Sequence, residues 1–260
     1  EQEFQTSNQR AMALAHAAIA RNPGDAHAHY DLASAWGLRG NFDFSVKHSY
    51  FGALSDAKSA RREAERARAL EPDFEDPLLV LGVHNYVAGS LPWTARLFSS
   101  LLGYSGNKEK GRQEIAAVAA SAAGDRTDAA VLLFVIDRRD GMNRAAAPIL
   151  ASLVRDYPRN VLFAVEEAEA LEAAGEHDAA RAQFDTVLRN AANGAPGYAH
   201  APVGQVWYDL GNIETVYSRW QAAAEDYRRA ESAPDTRPTL VQAAAEAEAA
   251  AQRHQPGAQH

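Results

Sequence analysis

Metal and phosphate chemistry are the first possibilities that the residue types raise. His27 and His29 stand two residues apart, so on a helix they point to different sides and cannot share a metal ion. The run GYSGNK at 103–108 contains two glycines and a lysine, but the phosphate-binding loop needs four residues between its glycines and then Lys-Ser/Thr. We therefore expect a polar helix start at the histidines, a turn at the glycines, and neither a metal site nor a cofactor.

Carboxylates are concentrated in one short run, Glu166, Glu167, Glu169 and Glu172. A pair of carboxylates in a cleft could carry general acid–base chemistry, whereas such a run on a helix is ordinarily a solvated face. No nucleophile with a recognisable base stands out in the chain. The sequence therefore favours a protein that is not an enzyme.

The overall composition narrows the classes of partner. The 260 residues carry a formal net charge of −8 and include no cysteine. Nucleic-acid binding needs a clustered basic footprint, which this chain lacks, so we expect no nucleic-acid partner. Without cysteine there is neither a disulfide framework nor a thiolate metal site. No apolar stretch is long enough to span a membrane, so we expect no transmembrane segment.

The elements that position these residues are predicted to be helices. Apolar residues make up 47% of the chain, much of that is alanine, and no β-branched alternation indicates strands. Residues 204–234 contain the most regular pattern, with small residues where two helices must approach closely and aromatics between them. Its first helix carries Trp207, Leu210 and Gly211, and its second helix carries Ala223, Tyr227 and Ala230 before Pro234.

This pattern resembles the tetratricopeptide repeat (TPR), although Glu214 stands where that family usually has a bulky aromatic. The resemblance implies antiparallel helix pairs that stack, because one pair cannot bury its own apolar face. Recurrence of the spacing predicts a single all-α domain, a TPR-like solenoid over 1–260. We predict N-terminal repeats over 6–89, an irregular apolar helical insert over 90–124, C-terminal repeats over 125–235, a capping helix over 236–253 and a disordered tail over 254–260.

Two stretches depart from the regular repeat. The distance from Gly40 to Pro72 is too long for one repeat, so residues 43–59 must lengthen a helix or add a turn of structure. In the insert, Ser90-Leu91-Pro92 is followed by Gly103-Tyr104, Gly106-Asn107-Lys108 and Gly111. That arrangement is similar to a stretch in the inclusion-body-clearance family of TPR proteins. The resemblance implies lipid and sterol handling or protein scaffolding, with no shared enzymatic activity.

TPR proteins line their concave groove with positions 2, 5, 9, 12 and 13 of each first helix, which form one helical stripe. In this chain those positions are His27, Tyr30, Ser34, Gly37 and Leu38; Asp76, Leu79, Val83, Tyr86 and Val87; Asp128, Val131, Val135, Arg138 and Arg139; Leu162, Val165, Glu169, Glu172 and Ala173; and Gln205, Tyr208, Asn212, Thr215 and Val216. Peptide-binding members usually carry Lys, Arg and Asn there to clamp a carboxylate. Only Arg138 and Arg139 correspond.

The middle of the predicted groove is apolar, and an apolar groove left in water would be an unusually large exposed patch. Either the insert fills it, or insert and groove enclose an apolar, lipid-like ligand such as a sterol. The ligand-binding residues would be Tyr30, Leu79, Val83, Tyr86, Val87, Trp93, Leu97, Phe98, Val131, Val135 and Tyr208. This favours a lipid-transport role, in the bacterial periplasm or envelope over the cytoplasm. The alternative is a TPR scaffold that binds a peptide or helix of a partner protein.

Overall fold

The computed structural model describes residues 1–94 and 103–254. These residues contain helices and no strand, and 77% of them are helical, against roughly one third in an average globular protein. The all-α fold class predicted from the sequence is confirmed.

The chain divides into two compact units, Glu1–Leu133 and Phe134–His260, called here the N-terminal and the C-terminal unit. The N-terminal unit contains α1 (Gln2–Arg21), α2 (Ala26–Ser45), α3 (Tyr50–Leu70), α4 (Pro77–Ser90), α5 (Lys108–Ala120) and the start of α6 (Arg126–Arg139). The C-terminal unit contains the rest of α6, then α7 (Asn143–Asp156), α8 (Val161–Ala173), α9 (His177–Ala192), α10 (Val203–Val216), α11 (Trp220–Ser232) and α12 (Pro238–Arg253). A single domain over the whole chain stays a prediction.

Local sequence sets several of the helix ends. The side chains of Asp25, Asn107 and Asn160 each accept a hydrogen bond from a backbone N–H two or three residues further on, which caps α2, α5 and α8. After α8, Gly175 has φ +81°, a left-handed conformation that glycine adopts without steric cost. Short-range chemistry therefore starts and stops these helices before any packing is considered.

Packing contacts follow a stacked-pair pattern within each unit. Consecutive helices pair, as α2 does with α3, α8 with α9 and α10 with α11. The first helix of a pair also contacts the first helix of the next pair, as in α2 with α4, α8 with α10 and α10 with α12. Contacts with both the next helix and the next but one are what stacked helix pairs produce.

The overlong stretch after Gly40 is accommodated by longer helices. Helices α2 and α3 contain 20 and 21 residues, and the predicted extra segment 43–59 forms the end of α2, the connection 46–49 and the start of α3. Arg39 on α2 makes a two-pronged ion pair with the buried Asp56 on α3, with both N–O distances 2.6 Å. The added turns are thus held together by a charge-assisted pair as well as by packing.

Glycines allow α4 to touch residues 106–111 backbone to backbone. A Cβ placed on Gly82 would lie 2.9 Å from the carbonyl oxygen of Gly111, and one on Gly106 would lie 2.7 Å from that of Asn85. A Cβ on Gly111 would collide with the backbone nitrogen of Tyr86. Gly106 and Gly111 are two of the residues that carry the second family resemblance, so a close helix contact explains their spacing.

The core of the C-terminal unit contains Phe184, Val187, Val206 and Ile213, all fully buried. At the pair formed by α10 and α11, the sequence predicts that Gly211 faces Ala223. The structure places the ring of Tyr227, one helical turn beyond Ala223, directly against Gly211, since a Cβ on Gly211 would lie 2.5 Å from its Cε1. The small residue is required as predicted, but it makes room for an aromatic ring.

Glu214 replaces the usual aromatic residue of the repeat and is only 1% exposed. Its Oε1 accepts a hydrogen bond from Nη1 of Arg181 on α9, and its Oε2 lies 3.4 Å from Nη1 of Arg219. A buried carboxylate is costly unless it is paired and hydrogen-bonded. The chain therefore fills this position with an ion pair that ties α9 to α10.

Candidate functional site

The predicted apolar ligand residues of the N-terminal unit differ in exposure. Val83 and Val87 on α4 are exposed, whereas Tyr86 between them is buried, with the ammonium of Lys108 5.6 Å from its ring centre. Tyr86 therefore packs towards the start of α5 and not into solvent beside the two valines. Tyr30 is partly buried, and its ring meets the ring of Phe74 edge-on at 5.4 Å. Leu79 and Val131 are also partly buried.

The remaining predicted ligand residues lie in different parts of the chain. Trp93 is 72% exposed, and Leu97 and Phe98 fall outside the described residues. Val135 and Tyr208 belong to the C-terminal unit, where Val135 is exposed and the ring of Tyr208 lies 5.6 Å from that of Tyr227. The ligand-binding role of the whole set stays a prediction.

Charged residues come together in the C-terminal unit, on the first helices α6, α8 and α10. Glu166, Glu169 and Glu172 recur every three residues along α8, which puts them on one face of that helix. Arg138 near the end of α6 reaches this face, and Asp209 on α10 approaches it from the other side. We call Arg138, Glu166, Glu169, Glu172 and Asp209 the acidic cluster.

Arg138 is already engaged by the protein itself. Its guanidinium donates hydrogen bonds to Oε2 of Glu166 and, through both terminal nitrogens at 3.1 Å, to Oε2 of Glu169. The sequence singles out Arg138 and Arg139 as groups that could clamp a ligand's carboxylate. In the structure the donors of Arg138 face two carboxylates of α8, while Arg139 is exposed at the helix end. The arrangement around Arg138 is therefore negative, and it repels a carboxylate ligand.

Asp209 is the most unusual member of the cluster, because its carboxylate is buried and only half satisfied. The residue is 7% exposed, and Oδ1 accepts one hydrogen bond from Nε2 of Gln205 at 3.0 Å. Oδ2 has no hydrogen-bond partner among the described residues. Burial, reinforced by the negative charge of Glu169, raises the pKa of Asp209 to about 7.

The neighbouring carboxylates respond in the same direction. Burial also raises the pKa of Glu169, where Arg138 opposes the shift, and that of Glu172, where His177 and then Arg138 oppose it. The cluster contains four carboxyl groups and one guanidinium, which pairs with Glu166 and Glu169, so these five residues have a net negative charge whenever more than one carboxyl group is ionised. Such a site is arranged to receive positive charge.

Sequence reasoning found part of this cluster and missed the rest. Glu169, Glu172 and Arg138 stand at predicted groove positions, but the acidic run was expected to be a solvated face. Asp209 was not predicted at all. Its signal in the sequence is a carboxylate inside the apolar pattern Trp207–Leu210, at a position where the helix packs inward.

Metal binding and membrane insertion find no support in the described residues, 1–94 and 103–254. These residues contain no group of three or more His, Cys, Asp or Glu side chains arranged to hold a metal ion. None of their helices is long and apolar enough to cross a membrane.

Comparison with known proteins agrees with the fold. No protein-family model and no curated protein matches the chain. The solved structure of YrrB, described as a TPR protein with an unusual peptide-binding site, superposes with a TM-score of 0.58 at 16% identity, over 89% of this chain and 97% of YrrB. A TPR protein from Parabacteroides merdae matches 95% of this chain and 80% of its own length at 15% identity, with a TM-score of 0.40. The chain thus has a TPR-like fold.

Proposed function

We propose that this chain is a non-catalytic interaction module, which binds a segment of a partner protein across the first helices of its C-terminal unit. The observation that carries the proposal is that each helix of the acidic cluster also has a large exposed apolar side chain: Val135 on α6, Leu162 on α8 and Val216 on α10. Single exposed apolar residues are ordinary, but one on each of three first helices favours a surface that binds another chain.

Helical spacing associates these apolar residues with the charged ones. Val135 precedes Arg138 by three residues, and Leu162 precedes Glu166 by four. Val216 follows Asp209 by seven residues, which is two helical turns. A partner segment along this surface would meet apolar and acidic groups in alternation. The TPR-like fold supports the proposal, because stacked helix pairs form extended binding surfaces of this kind.

The test uses the whole chain and an unbiased source of ligands. Random twelve-residue peptides displayed on phage are selected on the protein, and the selected peptides are synthesised for calorimetry. Leu162→Asn should weaken their binding by roughly tenfold, because burying a leucine side chain is worth about 1.5–3 kcal/mol. Since Leu162 is 63% exposed, the change should leave the melting temperature unaltered.

The matched control is Leu14→Asn, because Leu14 is also 63% exposed but lies on α1 of the N-terminal unit. It should leave peptide binding unchanged. If no peptide is selected, or if Leu162→Asn and Leu14→Asn bind the selected peptides equally well, the proposed surface is wrong.

A carrier of an apolar, lipid-like ligand is the second candidate, and the exposure of Val83, Val87 and Trp93 in the N-terminal unit favours it. Native mass spectrometry of the purified protein would detect co-purified apolar molecules. On this hypothesis Val83→Asp abolishes their retention, because an unpaired carboxylate is costly in an apolar site. A protein that retains no lipid and binds no fluorescent lipid or sterol analogue would exclude this function.

A further inference from the structure

We infer that the partner segment carries a lysine or arginine side chain, which enters between α8 and α10 and is bound by Glu169, Glu172 and Asp209. This inference rests on the proposed function and names the chemistry of its ligand. It is drawn from the placement of charge, from one unsatisfied buried group and from the apolar residues around them.

The balance of charge is the first argument. Arg138 pairs with Glu166 and Glu169. Neither Glu172 nor Asp209 has a cation within ion-pair distance in the part of the chain that the structure describes. Both are on helices that contact each other, α8 and α10, and the charge of Glu172 is felt at Asp209. His177 and Arg138 are close enough to oppose the rise in the pKa of Glu172, but no ion pair within the described residues neutralises Glu172 or Asp209.

The unsatisfied oxygen of Asp209 is the second, independent argument. Buried polar atoms in native proteins nearly always have a hydrogen-bond partner, and an orphan costs about 1–3 kcal/mol. Oδ2 of Asp209 is such an orphan, on a residue that is 7% exposed and faces the carboxylates of α8. A donor from outside the chain would satisfy it. An ammonium with three donors or a guanidinium with five can serve Asp209 and the glutamates of α8 together.

The surroundings favour a peptide side chain over a free cation. Leu162 is exposed at the N-terminal end of α8 and Val216 at the C-terminal end of α10, and each could bind an apolar residue that flanks the basic one in an extended segment. A long cationic side chain can bury its methylene stem and still present its charge to the carboxylates. A partner's acidic residue would instead meet several carboxylates at short range.

The test extends the peptide selection to the chemistry of the ligand. Peptides whose binding is weakened by Leu162→Asn should be enriched in lysine or arginine relative to the input library, and depleted in aspartate and glutamate. Replacing the basic residue by norleucine in a synthetic peptide should weaken binding about ten- to a hundredfold, because it removes charge-assisted hydrogen bonds.

The protein has a formal net charge of −8 and could attract any basic peptide, so the matched variants remove equal charge at different places. The test variant is Glu172→Gln with Asp209→Asn. The control is Glu225→Gln with Asp185→Asn, two exposed residues on α11 and α9 of the same unit. We expect at least a tenfold loss of affinity for the test variant and less than a twofold loss for the control. Asparagine still accepts from Gln205, and Glu172→Gln alone serves if the double variant fails to fold.

The outcomes separate the inference from the proposed function. Peptides that depend on Leu162 but show no basic enrichment would overturn the inference and keep the interaction surface. Equal losses in the test and control variants would also overturn it, because they indicate general attraction to a negative protein. Absence of any peptide that depends on Leu162 would overturn both.

Discussion

The buried carboxylate of Asp209 makes the stability of the C-terminal unit depend on pH in a direction that can be predicted. Burial raises its pKa from the ordinary value of 3.8 to about 7, so the folded protein binds this proton more tightly than the unfolded chain. Asp209 therefore destabilises the folded protein least below pH 3.8. Stability is lost as the pH rises from there to about 7, and the loss levels off above that value.

The size of the effect follows from the same two values. At about 1.4 kcal/mol for each tenfold change in proton affinity, the full loss at high pH is roughly 4 kcal/mol. Between pH 5 and pH 8 the wild type should lose roughly 3 kcal/mol through this residue. The variant Asp209→Asn carries no ionisable group there and should lose less. The two proteins should therefore diverge with rising pH, with the variant the more stable at pH 8.

Other groups that face Asp209 also titrate or carry charge, which is why the comparison is made between two proteins. They are the carboxylates of Glu169 and Glu172, the guanidinium of Arg138 and the phenol of Tyr227, all of which remain in the variant. Subtracting the two pH profiles isolates the contribution of the aspartate together with its coupling to these neighbours.

The assay is urea unfolding at a series of pH values, followed by tryptophan fluorescence. In a background with Trp36→Phe and Trp93→Phe, the remaining Trp207 and Trp220 report on the C-terminal unit alone. This avoids treating two units as one cooperative transition. If the stability of the wild type and that of the Asp209→Asn variant change with pH in parallel, the carboxylate is not held in an unfavourable environment. That result would refute the predicted pH dependence.

Two further predictions concern packing and the buried ion pair. Gly211→Ala should lower the free energy of unfolding in urea by roughly 1–3 kcal/mol, because the ring of Tyr227 behind it must move. Gly37→Ala, with open space at its Cβ, should raise that free energy by about 0.5–1 kcal/mol. Equal effects of the two changes would contradict the close contact at Gly211. Arg181→Ala should destabilise the protein by several kcal/mol, and by more than Arg219→Ala does. The reason is that Arg219 is the more exposed partner of the buried Glu214 and lies further from it. A larger loss of stability with Arg219→Ala would assign the main pairing of Glu214 to Arg219.

The sequence by itself determined the elements and the type of packing. Helix ends are set by interactions between residues close in sequence. The side chain of Asn160, for example, caps its helix through a backbone N–H only two residues further on. The spacing of Gly211, Ala223 and Ala230 indicates two helices that approach closely, because small residues and aromatics recur at helical intervals. Hence the stacked helix pairs could be predicted, although the spacing did not show that Gly211 makes room for the ring of Tyr227.

The sequence could not decide which charges meet. Glu214 is separated by 33 residues from Arg181, and Arg138 by 31 from Glu169, so no local rule relates them. Helical periodicity places Val83 and Tyr86 on one stripe of α4. It does not show that α5 approaches closely enough to bury Tyr86 while Val83 stays exposed.

The acidic cluster shows the same limit most clearly. From the sequence, the acidic run on α8 is expected to be a solvated face. In the structure α10 packs against α8 and brings Asp209 near this run. Burial and Coulomb interaction depend on the three-dimensional distances between side chains, and helical periodicity fixes only the direction in which each side chain leaves its own helix. The helices and their stacking were thus determined by the sequence, whereas the charge of the candidate site was decided by the tertiary structure.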